Sequence, residues 1–238
     1  MTQDFESREV EPASKLNRRL NLPFSNLSLL IRALTHRSYV NENPNSVDDN
    51  ERLEFLGDAV LDFIVGAWAY NRFPELPEGD LTKIRSAIVR NDQLANFARR
   101  IQLGGAVRLG RGEAASGGSD RDVLLGSAFE ALIGALYLDS GLDAVVAFVG
   151  PMLNDAQEYI LDEIQDPKSR LQEWVQAEKM GTPQYVTIST RGPDHAKEFE
   201  VEVRIQGTAY GKGHGTSKAT AARIAAQAAL EALGVSFN

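Results

Sequence analysis

Three acidic residues stand close together in the first third of the chain. Glu51, Glu54 and Asp58 are spaced by three and then four positions, so a helix through them places all three carboxylates on one face. Like charges at this spacing repel one another and destabilise a helix. The row is therefore either a solvated acidic face or a group that a bound cation neutralises.

The residues around these acids favour the second alternative, a group of acids that a bound cation neutralises. The same segment carries Leu53, Leu56 and Val60, so its acids border a face that is expected to be buried. A second apolar stretch, LLGSAFEALIGALYLD, holds Glu130 near its centre. Buried carboxylates need partners, and oxygen ligands in a chain without cysteine suit Mg²⁺ or Mn²⁺.

The first two thirds of the chain predict an all-α domain. Residues 1–13 are polar and predict a disordered tail, whereas apolar residues recur at helical spacing over 14–161. The glycine-rich stretch 104–118 predicts an exposed loop. The predicted helices span 14–20, 26–34, 50–70, 78–87, 91–102, 120–139 and 141–161.

A different pattern begins beyond a short charged linker at 162–167, which Pro167 interrupts. The predicted strands span 184–190, 199–205 and 208–213, and the predicted helices on either side span 169–179 and 217–233. The order α-β-β-β-α within 168–236 predicts a small α+β domain. The expected fold class is therefore multidomain, with an all-α domain followed by a small α+β domain.

Charge is divided unevenly between these two parts. The 238 residues carry a net charge of -8, but from Lys168 onward nine basic residues outnumber seven acidic ones. The preceding residues include 16 basic and 26 acidic ones. An acidic part of this kind either avoids the phosphates of nucleic acids or neutralises its carboxylates with metal.

Composition also bears on the compartment. Zero cysteines exclude disulfide bonds and thiolate metal sites, so no disulfide partner is expected. We find no uninterrupted apolar run of about 18 residues and therefore expect no membrane span. The first residues are acidic and polar, unlike a secretory signal. A cytoplasmic protein is expected.

Several longer motifs resemble the bacterial ribonuclease III family. The segment ERLEFLGDAVL is similar to the family signature, and THRSYVNEN, PEGDLTKIRSAIV, LGRGEAASGG and AFEALIGALYLDSG lie in the family's order. The segments RLQEWVQ, GPDHAKEF and GKGHGTSKATAARIAA are similar to the family's C-terminal double-stranded-RNA-binding domain. The resemblance covers nearly the whole chain from Ser14. It implies a homodimeric, magnesium-dependent endoribonuclease that cleaves double-stranded RNA and leaves 5′-phosphate and 3′-hydroxyl ends.

The resemblance also implies roles for individual acids. It makes Glu54, Asp58 and Glu130 metal ligands, with Asp58 and Glu130 as the catalytic pair. Glu51 and Glu78 match peripheral acidic positions of the same valley. The implied cofactor is Mg²⁺, for which Mn²⁺ can substitute. Such a metal activates a water molecule and stabilises the leaving oxygen.

One position departs from the family pattern. Three residues before Glu130, one helical turn away, the family carries an aspartate among its metal ligands, and this chain carries Ser127. Serine has no charge and a shorter reach, so the site loses an anionic ligand. We expect weaker metal binding or slower turnover, and the sequence leaves open whether Ser127 is natural or engineered.

In the second domain the resemblance implies a surface for double-stranded RNA. GPDHAKEF is similar to a loop that enters a minor groove, and SKATAAR to the start of a helix that contacts phosphates. A lysine pair usual at this helix is reduced to Lys218. The implied RNA-binding residues are Gln172, Glu173, Pro193, His195, Lys212, Ser217, Lys218 and Arg223.

Three classes of function remain open. The leading hypothesis is a metal-dependent endoribonuclease that processes ribosomal RNA precursors and other structured RNA. Ser127 motivates the alternative, a catalytically weak or inactive dimeric double-stranded-RNA-binding protein. A helical phosphohydrolase acting on small molecules fits the carboxylates alone, but it leaves the second domain unexplained and needs more histidines than the three present.

Overall fold

The structure, a computed structural model, describes residues 10–164, 166–193 and 197–235. Its contacts divide the chain into a first unit that ends at Ile160 and a second that begins at Leu161. The first unit is helical, and the second combines a three-stranded sheet with two helices. The predicted fold class, an all-α domain followed by a small α+β domain, is confirmed.

Eight α-helices begin in the described part of the first unit. They are α1 (Ala13–Arg19), α2 (Leu27–Ala33), α3 (Arg37–Glu42), α4 (Glu51–Arg72), α5 (Glu78–Ile88), α6 (Asn91–Arg100), α7 (Arg111–Ala115) and α8 (Asp122–Ile164). Helix α8 consists of two helices joined at Gly141, whose φ of 80° is not helical. The break predicted between 139 and 141 is therefore present.

The core of this unit is built largely from α4 and α8. Leu53 and Ile64 of α4 are buried, as are Leu132 and Phe129 of α8, and the Phe129 ring lies 5.8 Å from that of Phe97. Burying one such side chain stabilises the fold by about 1.5–3 kcal/mol. By length and composition alone the segment Asp122–Gln157 could also cross a membrane, a test that the core helix of a soluble protein passes as well.

Two segments are more ordered than the sequence predicted. The stretch 104–118, expected to be an exposed loop, contains α7. Its last residue, Gly118, is buried against Glu113, and the Glu113 carboxylate pairs with Arg121 at 2.7 Å. The expected tail reached residue 13, but α1 begins at Ala13, and Glu11 accepts hydrogen bonds from Arg19 at 3.1 and 2.8 Å. Local ion pairs hold both segments in place, and the periodicity of apolar residues does not predict such ion pairs.

The second unit packs two helices on one face of an antiparallel sheet. Its elements are α9 (Pro167–Ala177), β1 (Gln184–Arg191), β2 (Glu198–Ile205), β3 (Thr208–Gly215) and α10 (Lys218–Ala232), with the strands in the order β1-β2-β3. Alternate residues Val201, Val203 and Ile205 of β2 are buried in one cluster with Leu171 and Val175 of α9. The helices therefore share the face to which these β2 side chains point.

Candidate active site

An open pocket unites acids of α4 and α8. Glu51, Glu54 and Asp58 of α4 and Glu130 of α8 line it together with Phe55, and its volume is about 390 Å³. Glu54 and Glu130 are partly buried, whereas Glu51 and Asp58 are exposed. The structure thus brings together four of the acids singled out from the sequence.

The two helices approach most closely at a pair of glycines beside these acids. A Cβ atom added to Gly57 would lie 1.8 Å from the carbonyl oxygen of Glu130, and one added to Gly134 would lie 2.2 Å from that of Leu53. The backbones of α4 and α8 are therefore in direct contact. Neither glycine was predicted as a site residue, although glycine is disfavoured relative to alanine inside a helix and its presence there is a signal of close packing.

Ser127 reaches the acid cluster from α8 as a neutral hydrogen-bond donor. Its hydroxyl donates to Glu54 Oε1 at 2.9 Å. This bond satisfies one oxygen of a partly buried carboxylate. Ser127 stands where the family pattern has another carboxylate. It therefore donates a hydrogen bond to Glu54 and adds no negative charge to the pocket.

The ionisation of Glu130 responds to its burial and to the acids around it. Burial, followed by the negative charges of Asp58 and Glu54, raises the pKa of Glu130 from 4.5 to about 7. Near neutral pH this carboxyl is therefore protonated about half of the time. A cation in the pocket would favour its ionised form, so cation binding should release a proton.

The pocket fits a hard divalent cation in the chemistry of its donors, but its ligands are not gathered into a compact group. Carboxylate oxygens suit Mg²⁺ and Mn²⁺. Among the residues that the structure describes, however, no three His, Asp or Glu side chains form a cluster that could hold a metal ion. With Ser127 bonded to Glu54, metal binding requires the acids to draw together.

The two predicted peripheral acids have different locations. Glu51 begins α4, lines the pocket and accepts a hydrogen bond from Arg37 at 3.3 Å. Glu78 begins α5, is exposed, and accepts a hydrogen bond from Thr82 at 2.9 Å. Glu78 is not among the residues that line the pocket, because it lies on a separate helix and bonds within its own first turn.

Most of the predicted RNA-binding residues lie on the helices of the second unit. Ser217 is the N-cap of α10 and accepts a hydrogen bond from the backbone N–H of Thr220 at 3.1 Å. The Lys218 ammonium lies 5.9 Å from the centroid of the Phe199 ring. The other described positions, all exposed, are Gln172 and Glu173 on α9, Pro193 after β1 and Arg223 on α10; His195 lies outside the described residues.

Lys212 is separated from this helical face. Gly211 and Gly213 of β3 face α10, since a Cβ on either would lie 2.3 and 2.2 Å from the carbonyl oxygens of Ala225 and Ala221. Because side chains alternate along a strand, Lys212 points to the opposite face of the sheet. There its ammonium lies 3.5 Å from a carboxylate oxygen of Glu202. The structure thus does not place Lys212 with the other predicted RNA contacts.

Comparisons with known proteins agree with this two-part organisation. A family model described as ribonuclease-III-like matches residues 26–156, and one described as a double-stranded RNA binding motif matches residues 167–233. The chain belongs to the ribonuclease III family. Its relatives include the Ribonuclease 3 of Geobacillus thermodenitrificans, 46% identical over 96% of this chain and 94% of that protein. The Ribonuclease 3 of Roseiflexus sp. is also 46% identical, over 92% of this chain and 94% of that protein.

Solved structures support the same assignment for the first unit. The nuclease domain of ribonuclease III from Campylobacter jejuni is 36% identical and matches with a TM-score of 0.54. The match covers 59% of this chain and 94% of that domain. The protein is thus a ribonuclease III-type endoribonuclease with double-stranded RNA as its substrate, in a family that is metal-dependent in general. The second unit is the RNA-binding part. The hypothesis of a small-molecule phosphohydrolase offered no explanation for this unit.

Proposed function

We propose that cleavage takes place in the pocket between α4 and α8, with Mg²⁺, or Mn²⁺ in its place, held by Glu54, Asp58 and Glu130. The observation that carries this proposal is the convergence of these carboxylates in one open pocket. When bound, the metal would activate water and stabilise the leaving oxygen of the RNA. The proposed substrates are ribosomal RNA precursors and other structured RNA of the cytoplasm.

The acids of the pocket have different parts in this proposal. Asp58 is exposed, so its carboxylate is open to an incoming phosphate and its metal, and with Glu130 it forms the catalytic pair. Glu130, whose pKa burial and then the charges of Asp58 and Glu54 raise to about 7, would give up its proton to a bound cation. Glu54 keeps one oxygen on Ser127 and has the other free for metal. Glu51 remains a peripheral acid at the edge.

We propose that the second unit binds the RNA duplex with its helices and the loop between β1 and β2. The N-terminus of α10, which Ser217 caps, carries the positive end of the helix dipole and would attract phosphate, next to Lys218 and Arg223. Gln172 and Glu173 lie on α9, where they would contact 2′-hydroxyls. Lys212 is left out of this interface because it lies on the other face of the sheet.

A homodimer is the state that the exposed face of α4 supports. Phe55, Phe63 and Tyr70 are 80%, 61% and 71% exposed, and their spacing of eight and seven places them on the same side of the helix. Such apolar rows mark interaction surfaces. The Campylobacter jejuni structure is described as having a region involved in dimer formation of its nuclease domain. Two subunits would bring two pockets, one for each RNA strand, and sedimentation as a stable monomer at micromolar concentration would contradict this.

One observation favours a second candidate, a dimeric RNA-binding protein with weak or no turnover. Ser127 donates to Glu54 where the family pattern has a metal-binding acid, and the described acids do not form a compact metal cluster. RNA binding depends on the other unit and would survive this change. The two candidates therefore differ only in cleavage.

The test is cleavage of a labelled RNA duplex with Mg²⁺, with Mn²⁺ and with a chelator. Asp58→Asn should lower cleavage at least about 100-fold with duplex affinity unchanged, since losing even an indirect metal contact costs about 10–100-fold. Asp62→Asn is the matched control, because Asp62 lies on the same helix and faces Arg85 at 3.9 Å. Equal cleavage by Asp58→Asn would contradict the assigned pocket. Duplex binding without cleavage by the unaltered protein would support the second candidate.

A further inference from the structure

We propose that Gly57 and Gly134 are positioning residues of the active site. The backbone contact that they allow sets the separation between the helix that bears Glu54 and Asp58 and the helix that bears Glu130. This inference rests on the proposed function for the identity of the pocket. It concerns what holds the carboxylates close together, since their like charges repel one another.

The contact is reciprocal. A Cβ on Gly57 would lie 1.8 Å from the oxygen and 2.6 Å from the carbon of the Glu130 carbonyl, and 2.9 Å from the nitrogen of Gly134. A Cβ on Gly134 would lie 2.2 Å from the carbonyl oxygen of Leu53 and 3.0 Å from the nitrogen of Gly57. All the atoms approached belong to backbone, which cannot rotate away as a side chain would. Each glycine is thus required by the position of the opposite helix.

The backbone atoms in contact belong to the acids or adjoin them. Gly57 touches the carbonyl of Glu130 itself and directly precedes Asp58, whereas Gly134 touches the residue directly before Glu54. An added methyl group makes an ordinary contact at 3.4 Å or more, so the Glu130 carbonyl oxygen, at 1.8 Å, would have to move by about 1.6 Å. Misplacement by about 1 Å can reduce a rate about 100-fold. The acids cannot keep their separation if this contact opens.

Two other glycines of the same helices have no such contact. A Cβ on Gly66 of α4 would come no closer than 3.9 Å to the Arg85 side chain, and one on Gly150 of α8 would meet nothing within 4 Å. Alanine is the better helix former at such positions. Helix propensity therefore does not explain why Gly57 and Gly134 are glycines, and Gly66 and Gly150 provide matched controls.

The experiment compares Gly57→Ala and Gly134→Ala with Gly66→Ala and Gly150→Ala in the full chain. Mn²⁺ is titrated into each metal-free protein by calorimetry, with Asp58→Asn identifying the binding that belongs to the pocket. Duplex affinity is measured with a chelator present, and circular dichroism and sedimentation report folding and association. We expect Gly57→Ala and Gly134→Ala to lower Mn²⁺ affinity by about 10–100-fold, the range for lost support of a metal ligand. Their duplex affinity should stay within about twofold, and both controls should match the unaltered protein.

Several results would overturn the inference. One is unchanged Mn²⁺ affinity in folded Gly57→Ala and Gly134→Ala, and another is an equal loss in the controls. If both variants fail to fold while both controls fold, the glycines have a structural role alone and the inference is wrong. If the unaltered protein shows no Mn²⁺ binding that Asp58→Asn removes, the proposed function fails, and the inference fails with it.

Discussion

The carboxylates of the first unit share a pocket in which burial, and then the charges of Asp58 and Glu54, raise the pKa of Glu130 to about 7, whereas Lys218 and Arg223 of the second unit are exposed on α10. In the proposed function both groups interact with the same polyanion. The acids need a cation between themselves and the phosphate, and must be held together against their own repulsion. The basic residues attract phosphate directly and can be spread over an exposed face. The comparison shows why one charge cluster needs tight packing behind it and the other does not.

Both units nevertheless use glycine to bring a helix close to its neighbour. In the first unit Gly57 and Gly134 touch backbone beside the acids, whereas in the second Gly211 and Gly213 of β3 touch the backbone of α10. The second contact lies on the buried side of α10, and the charged side chains point away from it. Close packing by itself therefore does not mark an active site. What distinguishes the first contact is that acids flank it.

Removing the second unit tests the division of labour most strongly. A chain that ends at residue 164 should lose duplex affinity by about 100-fold at about 0.15 M salt, because most phosphate contacts are lost with α9 and α10. The helical unit should keep its circular dichroism, since its core lies within the first unit. Fluorescence anisotropy with a labelled duplex measures the affinity. Equal affinity of the shortened chain would place RNA binding in the acidic unit and break the comparison.

Adding an acid at position 127 sharpens the comparison from the other side. Ser127→Asp replaces the donor to Glu54 with a carboxylate, which increases repulsion in the pocket and hence the drive to bind a cation. We expect Mg²⁺-dependent cleavage of a duplex to rise at least about tenfold, the lower end of the range for a metal-site contact. Duplex affinity should stay within about twofold. Equal cleavage by both proteins would show that Ser127 is compatible with full activity.

A pair of lysine substitutions tests which face of the second unit meets RNA. Lys218→Ala should weaken duplex binding about fivefold at about 0.15 M salt and reduce the salt slope by about one, the effect of one phosphate contact. Lys212→Ala should change affinity less than about twofold, because Lys212 lies on the opposite face beside Glu202. Binding measured at several salt concentrations gives both quantities. A larger effect at Lys212 would move the interface to the sheet.

Much of this organisation could be predicted from sequence because it depends on local periodicity. The acids of α4 recur at helical spacing, and separate helices were predicted over 120–139 and 141–161, which the structure joins at Gly141. Motif order placed Glu130 with the α4 acids, and the pocket brings them together. Such features are carried by spacing and residue type, which the sequence displays directly.

Other features depend on partners that are distant in sequence or on strand register. Lys212 was expected at the RNA surface from its motif, but the alternation of β3 turns it to the opposite face. Asp139 accepts hydrogen bonds from the backbone N–H groups of Ser25 and Asn26 at 2.9 and 2.7 Å, contacts that helical periodicity does not predict. Neither partner is near in sequence. The sequence alone does not predict which distant backbone N–H group will donate a hydrogen bond to a given carboxylate.

The smallest expected effect concerns the cost of ionising Glu130 in the pocket without metal, where burial and the charges of Asp58 and Glu54 disfavour its charged form. The pKa of Glu130 is about 7 in the folded protein and is expected to be near 4.5 in the unfolded chain. Between these values the unfolded chain releases a proton that the folded protein retains. The free energy of unfolding should therefore fall as pH rises from 4.5 through about 7, and the loss should be complete above that pH.

Glu130→Gln removes this dependence, because glutamine has a similar shape and no charge at any pH. Without metal its melting temperature should exceed that of the unaltered protein by about 2–4 °C at pH 8, the shift that about 1 kcal/mol produces in a chain of this size. The difference should vanish near pH 4, where Glu130 is protonated in both states. Glu78→Gln is the control, since Glu78 is exposed and outside the pocket. Mn²⁺ at pH 8 should reverse the order, because only the unaltered protein has the full set of acids to bind it. An equal difference at pH 4 and pH 8 would show that neither burial nor the neighbouring carboxylates disfavour the ionised form of Glu130 in the folded pocket, and the contrast with the solvated charges of α10 would lose its basis.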